Sequence, residues 1–237
     1  MTELNGRRVL VVGGSSGIGL AVAGQADGAG ARVTIASRSQ AKLEAARSAL
    51  GPHAEAAVLD TGDMTGIEAF FAERDAFDHV VVSAAQTATG PVRTLPLEDA
   101  RQAMESKFWG AYRIARAARI NERGSLTLIT GYLADRPSAT SVTQGAINAA
   151  LDGLARGLAL ELSPIRVNTV SPGMIDTPLW SKLSDEAREA AFERARANLP
   201  AKAVGQPDDI ANAVLFLMRT PFATGSTVRV DGGGVIA

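Results

Sequence analysis

VVGGSSGIGLA (residues 11–21) starts as an apolar, β-branched run, breaks at glycines and resumes as a helix-forming stretch. A strand that enters a glycine-rich turn and leaves as a helix is the opening of a βαβ unit. Gly13, Gly17 and Gly19 stand in the spacing G-x-x-x-G-x-G. Without Cβ atoms they let the chain turn sharply, approach a phosphate and seat the helix against the strand. The amides of this turn and first helical residues, with Ser15, Ser16 and Ile18 among them, would face the phosphates of a nucleotide.

The same alternation continues outward from this unit. RVLVV (8–12), RVTIA (32–36), EAAVLD (55–60), HVVVSA (79–84), SLTLIT (125–130), IRVNTV (165–170) and TVRV (227–230) read as strands. Ala-rich stretches of helical period separate them. Strands apolar at nearly every position are buried on both faces, as in a parallel sheet covered by helices. The expected fold is therefore α/β, a Rossmann-type doubly wound sheet of seven parallel strands with helices on both faces, in one domain over 1–237. Residues 174–206 form the one long insertion, placed where a lid would cover the crevice at the strands' carboxyl ends.

Composition narrows the function. The 237 residues are 46% hydrophobic, enough for one sizeable core, and the net charge of −1 offers no field to nucleic acid or an anionic membrane. The absence of cysteine removes disulfides and thiolate chemistry. His53 and His79 have no ligand-type neighbours at metal spacing and read as surface or loop-packing residues, so no metal is expected. The N-terminus lacks an apolar signal segment, and no run approaches the ~18–20 apolar residues needed to span a bilayer. A cytoplasmic protein acting on a small molecule is expected.

After the second strand stands Ser37-Arg38-Ser39. A carboxylate there would bind a ribose 2′-hydroxyl, whereas an arginine flanked by hydroxyls suits a 2′-phosphate. The expectation is NADP(H) in preference to NAD(H). Asp60, with Thr61, closes the third strand and either reaches the adenine or caps its own loop.

These motifs resemble the short-chain dehydrogenases/reductases over essentially the full chain. IRVNTVSPGMIDTP (165–178) is similar to the family's nicotinamide-side stretch, which places Pro172, Gly173, Ile175 and Thr177 at the cofactor; Ser83, Ala84 and Ala85 fall in its fourth-strand loop, before Gln86. AALDGLARGLALEL matches the distal part of the active-site helix, and TGSTVRVDGG matches the last strand and its turn. The resemblance implies a catalytic Asn-Ser-Tyr-Lys set. At those positions this chain has Lys107, Gly131, Gln144 and Asn148. Glutamine can hold an oxygen but cannot supply a proton, so the family's usual acid is missing. The asparagine and lysine read as exchanged between helices, with Lys107 the ammonium from the opposite wall; the other reading is a surface lysine before a buried Phe-Trp pair. Tyr132, one past Gly131, reads as a packed loop aromatic.

The expected activity is an NADP(H)-dependent oxidoreductase with a rebuilt site of Lys107, Gln144 and Asn148. Two alternatives stand beside it: a non-catalytic NADP(H)-binding sensor or scaffold, and a lyase or isomerase using Lys107 as base. Leu179, Trp180 and Leu183 suggest an apolar ligand surface. The family's pairing habit and the small residues Gly145, Ala149, Gly153 and Gly157 suggest a homo-oligomer, a tetramer or dimer.

Overall fold

The computed structural model describes residues 4–237. Seven parallel strands, β1 (Arg8–Val12), β2 (Arg32–Ser37), β3 (Glu55–Val58), β4 (Phe77–Val82), β5 (Ile120–Ile129), β6 (Arg166–Pro172) and β7 (Thr227–Val230), run in the order β3-β2-β1-β4-β5-β6-β7. β1 pairs on one side with β2 and on the other with β4, so the chain reverses its direction of winding between them. That reversal opens a crevice at the carboxyl ends of β1 and β4, where such folds bind ligands.

Strand periodicity divides the core into two layers. Val9 and Val11 point to the layer covered by α1 (Gly17–Gly28) and α8 (Pro207–Arg219). Leu10 and Val12 point to the other, where α3 (Met64–Ala72), α5 (Gly110–Ala117) and α6 (Val142–Glu161) bring Phe70, Phe71, Ile114, Ile147 and Leu151. The central strands are buried on both faces, and the edge strand β3 is half-exposed. Helix starts follow local chemistry. Ser39 caps α2 (Gln40–Ser48) by accepting from the Lys42 amide, and Gln206 and Asp209 form a reciprocal box with Pro207 in the first turn of α8.

One irregularity bears on the site. α4 (Leu97–Met104) passes into α5 through a π-helical turn, Glu105–Trp109. Single π turns inside helices recur at functional positions because they rotate the register of the side chains. Here the turn buries Lys107 at 8% exposure and leaves Trp109 at 43%. The surface-lysine reading, with its buried tryptophan, is thereby reversed.

Two further expectations are corrected. His79 is neither on the surface nor in a loop. It lies buried in β4, with Nδ1 2.8 Å from Ser125 Oγ on the adjoining β5, and burial lowers its pKa to about 4, helped by the nearby Arg166. Arg166 itself spans to the end of α8, donating to the carbonyls of Leu217, Met218 and Thr220, where a helix C-terminus favours a cation. Gly145 does not belong to an outward face: a Cβ there would stand 2.8 Å from the Leu133 carbonyl oxygen. Gly153 and Gly157 are exposed, with open space or only the tip of Arg156 beside them. Among the described residues, no helix is long and apolar enough to cross a membrane.

Candidate active site

A cleft of about 1140 Å³ lies over the carboxyl ends of the strands. Every residue named above for the nucleotide lines it, except Gly19. Gly19 sits behind the turn, where a Cβ would fall 2.2 Å from the Gly13 carbonyl oxygen. Gly13 has φ +88°, and its Cβ would overlap the Ala84 amide at 2.5 Å. The glycines therefore hold the turn, the helix and the β4 loop in contact, which leaves the start of α1 bare. Ser16, its N-cap, makes no side-chain cap bond there.

At the β2 end of the cleft Arg38 and Lys42 both face the opening. Lys42 went unrecognised in the sequence, although its place in the first turn after the Ser39 cap could have signalled it. Ser37 Oγ is buried with no partner among the described residues, an orphan that a ligand oxygen would satisfy. Gln86 reaches across from the β4 loop: its Oε1 accepts from Arg38 Nη2 at 2.9 Å, while its amide donates to Ser106 Oγ at 2.9 Å. Arg38 is thus held over the cleft by a loop tied to the π turn. Asp60 lines the cleft too, but its Oδ1 accepts from the Gly62 amide at 2.9 Å, as a loop-capping carboxylate does.

The opposite end holds the candidate catalytic residues. Lys107 Nζ donates to Asn148 Oδ1 at 2.6 Å and to the Thr130 carbonyl at 2.8 Å. Both acceptors are neutral. Burial pulls the lysine pKa down to about 8, with the Asp152 carboxylate acting in the opposite sense. Asp152 is itself occupied, accepting from Thr169 Oγ1 at 2.8 Å. Gln144 lines the cleft one helical turn before Asn148, and Gly131 lines it opposite the Asn148 amide. Tyr132 is half-buried, packs towards Gly234 and also lines the cleft.

Of residues 174–206, Ile175, Thr177, Pro178, Leu179, Trp180 and Lys182 line this mouth. The segment leaves and returns through a bridge between Ile175 and Gly205 and carries α7 (Asp185–Asn198). Trp180 anchors it, donating to the Ile175 carbonyl at 2.8 Å and meeting Phe192 edge-on at 5.7 Å. Leu179 and Trp180 line the cleft; Leu183 does not.

Comparison with known proteins agrees with this architecture. A family model described as enoyl-(acyl carrier protein) reductase matches residues 12–234. A short-chain dehydrogenase/reductase of Stachybotrys chlorohalonatus is 34% identical over 256 aligned positions that span 100% of both chains. A short-chain oxidoreductase of Pseudomonas aeruginosa, described as containing an atypical catalytic center, superposes with a TM-score of 0.90 at 28% identity, covering 98% of each chain. Its NADPH-bound form gives 0.88 at 28% identity over 96% of each. With the family model matched over nearly its whole length, the chain belongs to the short-chain dehydrogenases/reductases, a family of oxidoreductases that bind a nicotinamide cofactor.

Proposed function

We propose that the protein is an NADP(H)-dependent oxidoreductase acting on a carbonyl or alcohol through a rebuilt catalytic centre. The observation that carries the reading is the buried ammonium of Lys107 fixed by Asn148 and Thr130 inside the cofactor cleft. The residues present fit a phosphorylated dinucleotide. Gly13 lets the turn close against the β4 loop, the N-terminus of α1 is uncapped, Ser37 Oγ is orphaned, and Arg38 and Lys42 supply positive charge.

Bound there, the reduced nicotinamide supplies hydride. As the carbonyl carbon gains its C–H bond, the π pair moves to oxygen, and the site must stabilise that charge and protonate it. Lys107 has a third N–H beyond its two bonds, and with a pKa of about 8 it is roughly nine-tenths protonated at pH 7. Its proton passes to the oxygen, and solvent then restores it. Gln144 binds and orients. The segment carrying Leu179 and Trp180 serves as a lid that excludes water and gives the substrate an apolar wall.

A carbonyl screen following loss of the reduced nicotinamide's absorbance tests the reading directly. NADPH that binds without oxidation by any ketone, aldehyde or diketone would favour a sensor or scaffold. Cofactor choice is tested at Arg38. Arg38→Asp is expected to weaken NADPH by about tenfold or more, because a charge-assisted bond becomes a repulsion, and to leave NADH binding equal or better. Wild-type protein that binds NADH as tightly as NADPH at low salt would remove this role from Arg38.

The outward faces of the π turn, α5 and α6 support a homo-oligomer. Trp109 and Tyr112 are exposed and stacked edge-on at 5.5 Å, Leu160 is 84% exposed, and Gly153 and Gly157 permit close approach. Light scattering at micromolar concentration should report a dimer or tetramer; a monomer would overturn the assignment of this face.

A further inference from the structure

The side chain of Asn148 has an orientation that chemistry fixes. An ammonium only donates, so the atom 2.6 Å from Lys107 Nζ must be the amide oxygen, and the nitrogen must point the other way. That nitrogen faces Gly131. A Cβ built on Gly131 would lie 2.7 Å from Nδ2 and 3.5 Å from Oδ1. Glycine at 131 is therefore what lets the Asn148 amide lie where a side chain at 131 would stand.

The amide is also unoccupied. Asn148 is 1% exposed and yet lines the cleft, and among the described residues no hydrogen bond uses its Nδ2. A donor left unpaired at the wall of the cleft is open to an acceptor from a ligand. The same cleft is lined by Lys107, with one N–H beyond its two bonds, and, one turn away on α6, by Gln144. The nearest buried carboxylate, Asp152, is turned to Thr169. Lys107, Asn148 and Gln144 thus give this wall of the cleft one cation and amide donors, a lining that suits a negative oxygen.

We propose that Asn148 Nδ2 is a catalytic hydrogen-bond donor to the substrate's reacting oxygen, sharing with Lys107 an oxyanion site that takes small carbonyl compounds and, as stable analogues, carboxylates. The proposal rests on the oxidoreductase reading of the cleft. Asn148 approaches from α6 the place that a side chain at residue 131 would otherwise occupy. A hydroxyl at 131 and an amide at 148 are thus alternative ways to hold one oxygen, and the two exclude each other sterically.

Acetate titrated into the NADP⁺-saturated protein, followed by calorimetry, tests this without turnover. Wild type should bind acetate. Asn148→Asp keeps the acceptor for Lys107 but exchanges the NH₂ for a second carboxylate oxygen, and should weaken acetate by about tenfold or more. Gly131→Ala keeps every polar group and only pushes the amide aside, and should weaken it comparably. Circular dichroism and a cooperative thermal transition like that of wild type report that the fold survives in both variants. Wild type that fails to bind acetate, or either variant that binds it as wild type does, overturns the proposal. Reduction of diacetyl by wild-type protein and NADPH is measured in parallel. Turnover without acetate binding sinks only the oxyanion site, whereas acetate binding without reduction of any carbonyl leaves the site and sinks the oxidoreductase reading.

Discussion

Lys107→Met should lower carbonyl reduction by about 10²–10⁴-fold, the span of general acid catalysis, with NADPH still bound. Methionine matches the length of the lysine stem and removes the ammonium. Two acceptors, Asn148 Oδ1 and the Thr130 carbonyl, lose their donor, at a cost of about 1–3 kcal/mol each. Relief from burying a charge among neutral groups offsets part of that, so the fold persists and cofactor fluorescence should show it. The pH profile gives an independent check. Reduction consumes the ammonium, which is present below the lysine pKa and lost above it. For wild type, kcat/KM for reduction should be level at neutral pH and fall as pH passes about 8. Oxidation of an alcohol needs the neutral amine as base and should rise through the same range. Reduction without a break near pH 8, or a methionine variant retaining more than about a tenth of wild-type rate, would place the acid elsewhere.

How much of this was legible in the sequence depends on how far apart the interacting residues lie. The sheet was readable because each central strand is apolar at almost every position, and the G-x-x-x-G-x-G turn fixed which strand comes first. The encounter of Lys107 with Asn148 could be raised only as one of two readings, since they sit 41 residues apart on different helices. The π turn that buries Lys107 leaves no composition signal. ESKFW would serve equally in an α-helix, and what rotates the lysine inward is a change of hydrogen-bond register. Register also hid His79, whose partner Ser125 lies on the neighbouring strand. The contact of Gln86 with Arg38 bridges two loops 48 residues apart, so Gln86 was visible only as a departure from a pattern. Gly145 misled because small residues allow close packing without saying against what; here it is a carbonyl of the same chain.

Installing the family's pair alone, Gln144→Tyr with Asn148→Lys, should leave carbonyl reduction no faster than in wild type. The new lysine would enter beside an existing ammonium, at the position now 2.6 Å from Lys107 Nζ. Two like charges ~4 Å apart repel by ~4 kcal/mol at an effective dielectric near 20, so one amine must neutralise or swing out of the site. The tyrosine then lacks a steady cation to depress its pKa. Gly131 still offers no hydroxyl, and the amide that could have held the oxygen in its place has been removed. Gly131→Ser cannot be added to wild type freely, because its Cβ would meet Asn148 Nδ2 at 2.7 Å. Residues 131, 148 and 107 are therefore coupled, and their substitutions will not add. Only the quadruple variant, with Lys107→Asn and Gly131→Ser joined to the pair, restores one ammonium, one phenol and one hydroxyl to compatible places. It should exceed the double variant by ~10²-fold or more in reduction of a simple ketone. A double variant as fast as the quadruple would mean that Lys107 stands outside the reaction and that its exchange with Asn148 carries no chemistry.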